Sequence, residues 1–271
     1  MIKQAIIPLA GLGTRLLPLT SVFAKELLPI NGKPGLEYII EECIEAGIKE
    51  IVFIISKKKL MIKKYFYNDK FYKDIIKKKN DPKIIKEYKK ILKYKKMIKF
   101  VFQDKPLGTG DAVYKTKKFI TDKYFLMLLP DDLIIKKNCS KSMIAVHNKF
   151  KASVMASMKV NKNDVSRWGI YNIKKKIDKN NFVISNVVEK PSIKTSPSNN
   201  AVIGRYILPK TIFSKLKSLK PGKSGEFHIT DAIQALIEDD NQFIGHNFSG
   251  KYLDCGTMKG YIKSTLEISK Q

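Results

Sequence analysis

The chain has 271 residues, 44% of them hydrophobic, and its 52 Lys and Arg outnumber 25 Asp and Glu to give a net charge of +27. This composition is typical of a globular protein and excludes a disordered chain, and the apolar runs are strand-sized rather than membrane-sized. The cysteines, Cys43, Cys139 and Cys255, are odd in number and form no CxxC pair. We therefore expect no disulfide framework, zinc site or membrane association, and we predict a reduced, cytoplasmic protein.

In chain order, strand and helix patterns alternate. Apolar spacing predicts strands at residues 5–9, 50–55, 99–103, 125–129, 152–159, 169–173, 182–188 and 201–208, and helices at 36–46, 111–119, 140–150, 230–238 and 260–268. Thr230 is the predicted N-cap of the fourth of these helices. The alternation predicts one α/β domain over residues 1–271, with a mixed, mainly parallel central sheet flanked by helices.

Residues 57–99 are rich in lysine, with apolar residues at helical spacing. We interpret this segment as a helical excursion within the domain whose lysines are solvated and do no chemistry. Although the net charge is typical of nucleic-acid-binding proteins, arginines and stacking aromatics are not clustered, so we expect no nucleic-acid partner. The few arginines, Arg15, Arg167 and Arg205, are instead candidate bidentate ligands for an oxyanion.

A glycine-rich turn, AGLGTR at residues 10–15, follows the first predicted strand. It is neither of two common phosphate loops, because Leu16 stands where the dinucleotide fingerprint has its third glycine and no Gly-Lys-Ser/Thr follows. The backbone amides of such a turn, together with Arg15 and Lys25, are suited to neutralise a triphosphate.

Other polar residues follow later strands, and ligands of such sheets bind at the carboxyl ends of the strands. Asp131, with a distant partner such as Asp254, suits a hard divalent cation, and Gln103 beside a glycine cluster suits a base edge. No Ser/His/Asp signature or histidine cluster is present in the sequence. A reaction whose nucleophile is already an anion needs no such general base.

Eight motifs together resemble those of the sugar-1-phosphate nucleotidyltransferase family. They are AGLGTRLLPLT at 10–20 followed by KELLP at 25–29, Gln103 through GTGDAV to residue 113, LPDD at 129–132, WGI at 168–170, VVEKPS at 187–192, AVIGRYIL at 201–208, GEFHITDAI at 225–233 and DCGTMKGY at 254–261. The resemblance covers nearly the whole chain and implies a Rossmann-like domain of nucleotide-diphosphosugar-transferase type.

The resemblance also implies a role for each matching residue. Those matching the nucleotide site are Ala10, Gly11, Gly13, Thr14, Arg15, Lys25, Gln103 and Gly108; those matching the sugar-phosphate site are Gly169, Glu189, Lys190 and Gly204; those matching the Mg²⁺ ligands are Asp131 and Asp254. Arg15, Lys25, Asp131 and Lys190 would then be catalytic. Two positions depart from the family, which usually has His at Asp111 and Tyr at Trp168.

The motif forms are most similar to the uridylyl branch, which implies UTP and glucose 1-phosphate as substrates, Mg²⁺ as cofactor, and a homo-oligomer, either a dimer or a tetramer. Two alternatives stay open at this point. One is a glucose-1-phosphate thymidylyltransferase, and the other is an inactive basic protein associated with nucleic acid. The carboxylates Asp131 and Asp254 argue against the latter, since they would repel a phosphate backbone.

Overall fold

The computed structural model describes residues 1–222 and 225–270, which contain thirteen strands and nine α-helices. The strands are β1 (Gln4–Pro8), β2 (Pro29–Ile30), β3 (Lys33–Pro34), β4 (Glu50–Ile55), β5 (Ile98–Phe102), β6 (Tyr124–Leu128), β7 (Asp132–Ile135), β8 (Ser153–Lys159), β9 (Gly169–Lys176), β10 (Asn181–Glu189), β11 (Asn200–Pro209), β12 (Phe243–Asn247) and β13 (Lys251–Asp254). The helices are α1 (Gly35–Glu45), α2 (Leu60–Tyr67), α3 (Asp69–Lys79), α4 (Pro82–Met97), α5 (Thr109–Tyr114), α6 (Cys139–Phe150), α7 (Ile212–Ser218), α8 (Ile229–Glu238) and α9 (Met258–Ser269).

Nine strands form one mixed sheet in the order β5-β4-β1-β6-β11-β8-β12-β10-β9. The first four are mutually parallel, and β12 pairs parallel with β8. Strand β11 runs antiparallel to both neighbours, and β10 runs antiparallel to β12 and β9. The predicted mixed α/β sheet is confirmed, and its parallel half carries the glycine-rich turn.

Helices cover both faces of the sheet. This explains why the sequence of β4 is almost wholly apolar. Phe53 and Ile55 point into one core, with residues of α1, α2, α4, α6 and α9. Val52 and Ile54 point into the opposite core, with residues of α5, α7 and α8. Because successive side chains of a strand face opposite sides, a strand buried on both faces reads as a continuous hydrophobic run.

The lysine-rich segment forms the three helices α2, α3 and α4, as the apolar spacing predicts. It docks through Ile62 and Phe66 of α2 and Ile91 and Tyr94 of α4, whereas α3 buries no residue. The expectation that all its lysines are solvated is wrong at Lys59, whose side chain is buried.

Several predicted boundaries differ from the structure. Helix α5 ends at Tyr114 rather than at residue 119, and α8 begins at Ile229 with His228, not Thr230, in the N-cap position. The short strands β2, β3, β7, β12 and β13 and helix α7 have no counterpart in the predicted elements, because their few residues show too little periodicity. No helix of the described residues is long and apolar enough to cross a membrane.

Candidate active site

A cavity of about 540 Å³ opens where β1, β5 and β6 end, as expected for an open α/β sheet. Of the residues predicted to bind a nucleotide, those lining it are Ala10, Gly11, Gly13, Thr14, Lys25, Gln103 and Gly108. Asp131 lines the same cavity, and Arg15 reaches it through a contact with Asp131. The structure therefore brings together residues that are far apart in sequence, while their individual binding roles stay predictions.

The glycine-rich turn leaves room beside the cavity. Gly13 has φ +72°, in the left-handed region that favours glycine, and its carbonyl accepts a hydrogen bond of 2.8 Å from Thr20 Oγ1. A methyl group at Gly11 would meet no protein atom within 4 Å. The turn is thus fixed at Gly13 and open at Gly11, so a ligand can approach the backbone there.

Asp131 is the anionic centre of the site. Its Oδ2 accepts a 2.8 Å hydrogen bond from Lys25 Nζ and lies 3.3 Å from Arg15 Nη2. Burial alone would raise the pKa of Asp131, but the charge and hydrogen bond of Lys25, a backbone hydrogen bond and, to a smaller extent, Arg15 together outweigh burial and hold that pKa below its usual range. The carboxylate is therefore ionised at neutral pH, with two cations already beside it.

The end of β13 and the loop that follows it bring Asp254 to the same place. Cys255 N donates to the Asp131 backbone carbonyl at 2.8 Å, and Asp254 Oδ1 accepts from Gly256 N at 2.8 Å. A methyl group on Gly256 would lie 2.8 Å from Asp131 Oδ2, 3.1 Å from Arg15 Nη2 and 3.2 Å from Asp254 Oδ1. The two predicted metal ligands therefore border one small space, which the missing side chain of Gly256 keeps open.

This donor set fits a hard divalent cation that keeps most of its coordination for substrate and water. Among residues 1–222 and 225–270 there is no group of three or more His, Cys, Asp or Glu side chains that could hold a metal by itself. Two carboxylates from Asp131 and Asp254, completed by phosphate oxygens, are the usual pattern for Mg²⁺, which rarely occupies an all-protein cage.

Arg205 supports the loop that carries Asp131. Its fully buried guanidinium pairs with Glu42, at 2.8 Å from Nη2, and donates to the carbonyls of Leu129 and Asp132 at 3.0 and 2.6 Å. The hypothesis that Arg205 binds a substrate oxyanion is therefore wrong, because a structural carboxylate occupies it. It holds the backbone on both sides of Asp131 instead.

Gln103 and Gly108 lie together at another part of the cavity wall. Gln103 is buried, and its Nε2 donates to the Gly108 carbonyl at 3.0 Å and to Asp111 Oδ2 at 2.8 Å. Gly108, at φ +94°, packs so closely that a methyl group there would lie 2.5 Å from the Phe227 carbonyl. Only glycine fits this position, where two backbone segments meet.

A second cavity of about 690 Å³ adjoins the first, and Thr109 and Leu129 line both. Of the residues predicted to bind the sugar phosphate, Glu189 lines this second cavity, and a methyl group on Gly169 would lie 3.0 Å from Glu189 Oε2. Lys190 is largely exposed beside Glu189, with φ +45°. These three residues therefore lie together at the end of β10.

Gly204 is placed differently from the other three predicted sugar-phosphate residues. Its N–H donates to Asp132 Oδ2 at 2.8 Å, and a methyl group there would lie 2.5 Å from Leu129 Cβ. The Asp132 pKa is raised to about 6, first by burial and then by the charge of Asp131. Gly204 thus allows close packing behind the Asp131 loop, and its contact with sugar stays a prediction.

Sequence reasoning missed a buried ion pair beside the first cavity. Lys59 Nζ donates to both carboxylate oxygens of Glu26 at 2.8 Å, and Glu26 lines the cavity next to Lys25. Burial lowers the pKa of Lys59, although Glu26 opposes that shift. Glu26, an acidic residue inside the KELLP motif, was the available signal in the sequence. Nothing in the lysine-rich segment identified Lys59 as its partner.

A glycine-rich turn, paired cations and carboxylates thus lie together at the edge of a mixed sheet, an arrangement suited to an α/β nucleotidyltransferase. The chain matches the sequence profile of the nucleotidyl transferase family over residues 4–271, and it belongs to that family.

The relatives carry a more specific activity in their names. The UTP–glucose-1-phosphate uridylyltransferase of Bacillus subtilis is 35% identical over 271 residues, which cover 100% of this chain and 92% of that protein. A UDP-glucose pyrophosphorylase crystallised with UDP-glucose superposes with a TM-score of 0.86 and 34% identity, covering 100% of this chain and 99% of that one. A UTP-bound enzyme of this kind from Acinetobacter baumannii gives a TM-score of 0.89 and 31% identity, covering 99% and 93%.

Proposed function

We propose that the protein transfers the uridylyl group of UTP to α-D-glucose 1-phosphate, giving UDP-glucose and pyrophosphate. One observation carries the proposal: residues 10–14 of the glycine-rich turn, Lys25, Gln103 and Asp131 line a single cavity in a chain whose full-length relatives bear this activity in their names. The adjoining cavity beside Glu189 supplies space for the second substrate.

In this reaction a phosphate oxygen of the sugar phosphate attacks the α-phosphorus of UTP in line, and pyrophosphate leaves. The nucleophile is already an anion at pH 7, so the protein's task is to position both substrates and to neutralise charge. In this proposal Lys25 and Arg15 hold nucleotide phosphates, and Lys190 holds the sugar phosphate. The open backbone at Gly11 allows the nucleotide to approach.

Asp131 and Asp254 are the residues that would hold Mg²⁺. When bound, the cation would neutralise charge on the substrate phosphates. Asp131 meanwhile orients Lys25 and Arg15 through its Oδ2. The cytoplasmic location and the homo-oligomer stay predictions.

The test is pyrophosphate release from UTP, dTTP, CTP and ATP, each with glucose 1-phosphate and Mg²⁺. We expect UTP to be the preferred donor and release to require the sugar phosphate. Preference for dTTP would identify a thymidylyltransferase instead. Absence of release from all four nucleotides would contradict the proposed function.

A further inference from the structure

The side-chain amide of Gln103 is held from behind by two groups that can only accept hydrogen bonds. One is the backbone carbonyl of Gly108, 3.0 Å from Nε2, and the other is the carboxylate of Asp111, 2.8 Å from Nε2. Both N–H bonds of the amide are therefore used within the protein. Turning the amide over would place Oε1 against two acceptors, so its orientation follows from the chemistry of its neighbours.

Both neighbours are themselves fixed. Gly108 is packed against the Phe227 backbone, and Phe227 N donates to the Leu107 carbonyl at 2.8 Å. Asp111 lies in the first turn of α5, where its Oδ1 is 3.7 Å from Lys115 Nζ one helical turn later. Gln103 lines the nucleotide cavity but Asp111 does not. The side chain of Asp111 therefore contacts the cavity wall through Gln103.

The remaining amide atom of Gln103 is Oε1, which accepts no hydrogen bond from any residue in 1–222 or 225–270. A fixed acceptor in the wall of a base pocket selects a base edge that presents an N–H donor. Uracil presents N3–H. Cytosine, bound in the same orientation, presents the unprotonated N3, whose lone pair would face that of Oε1.

We propose that Asp111 is a positioning residue that sets the preference of the pocket for uracil over cytosine by fixing Oε1 of Gln103 as the exposed acceptor. The inference deepens the proposed function and rests on it. The sugar-1-phosphate nucleotidyltransferase family usually has His at this position. In this chain the preference for uracil therefore depends on a carboxylate instead. Without that carboxylate only the Gly108 carbonyl holds the amide in this orientation, so the amide turns more readily and can present an N–H to the pocket.

The test compares Asp111→Leu and Asp111→Asn with the unsubstituted chain. The measurements are kcat/KM with glucose 1-phosphate and equilibrium binding, each for UTP and for CTP. We expect the UTP-to-CTP ratio to fall about tenfold or more in Asp111→Leu, mainly through weaker UTP binding, since mispairing a buried polar group costs that much. Asp111→Asn keeps one acceptor oxygen, so its ratio falls less.

Asp104→Asn is the matched control, because Asp104 adjoins Gln103 and carries the same charge but bonds to Lys57 N instead. Its ratio should not change. An unchanged ratio in Asp111→Leu, with an unfolding temperature close to that of the parent, would overturn the inference; if that variant does not fold, Asp111→Asn decides in the same way. Failure of the unsubstituted chain to release pyrophosphate would contradict the proposed function, whereas the binding ratio would still test Asp111.

Discussion

Lys25 and the lysines at the end of α3 are residues of the same type in different surroundings, one nearly buried and the others exposed. Lys25 has a side chain only 15% exposed and lies 2.8 Å from a carboxylate that lines the cavity. Lys77, Lys78 and Lys79 are exposed, and none forms an ion pair within residues 1–222 and 225–270. The comparison teaches that the net charge of +27 says little about chemistry, whereas burial beside a partner says much.

Substitution of Asp131, the carboxylate partner of Lys25, should have the largest effect on activity. Asp131→Asn should lower kcat about 1,000-fold, because it removes a predicted metal ligand and the anion that orients Lys25 and Arg15. The fold should survive, which the far-UV circular dichroism spectrum checks. Asp254→Asn should have a similar effect, and the double variant should be little worse than either single variant. Full activity in Asp254→Asn would show that Asp254 is not a metal ligand.

Lys59 sharpens the comparison, since it belongs to the lysine run yet is buried against Glu26. Lys59→Met should lower the free energy of unfolding by about 3 kcal/mol, because it leaves the Glu26 carboxylate buried without its partner. Denaturant unfolding measures this loss. Lys58→Met, at the exposed neighbouring position, is the matched control and should change stability by less than about 0.5 kcal/mol. Equal effects in the two variants would show that the ion pair contributes nothing specific.

Lys59 also shows where prediction from sequence stops. Periodicity predicted α1, the helical character of residues 57–99 and most strands of the central sheet, because burial on one or both faces leaves a pattern within a few residues. The pairing of Lys59 with Glu26 leaves none, since it joins two segments that only the folded chain brings together. The same holds for Arg205, whose partner Glu42 lies on another element.

The candidate site divides in the same way. The sequence predicted that Lys25, Gln103 and Asp131 lie at one site, because each follows a predicted strand and the strand–helix alternation indicates parallel strands whose carboxyl ends share an edge. The contacts that hold these residues in place were not predictable. The hydrogen bonds from Arg205 to the Asp131 loop and from Gln103 to Asp111 depend on side-chain packing. Residues that line the cavity are thus easier to predict than the residues that hold them in place.

Arg15 tests the same contrast among the cations of the site. Its side chain is 65% exposed, and it lies farther from Asp131 than Lys25 does. Arg15→Lys should lower kcat/KM for UTP about tenfold, because an ammonium cannot replace a planar guanidinium at a phosphate. Steady-state kinetics with varied UTP measures this, with Arg167→Lys as the control. A silent Arg15→Lys would show that Arg15 has no part in holding phosphate.

The exposed lysines of α3 should give the smallest effect. Replacing Lys77, Lys78 and Lys79 by Gln relieves mutual repulsion but also removes cations from the last helical turn, where they oppose the helix dipole. These contributions have opposite signs, so the unfolding temperature should shift by no more than about 2 °C at low salt and by less at high salt. Uridylyl transfer should not change, because none of these residues lines the first cavity.

Binding of random duplex and single-stranded DNA, measured across a salt series, is the decisive companion experiment. Sub-micromolar binding that falls steeply with salt and disappears in the triple variant would show that this surface does bind nucleic acid.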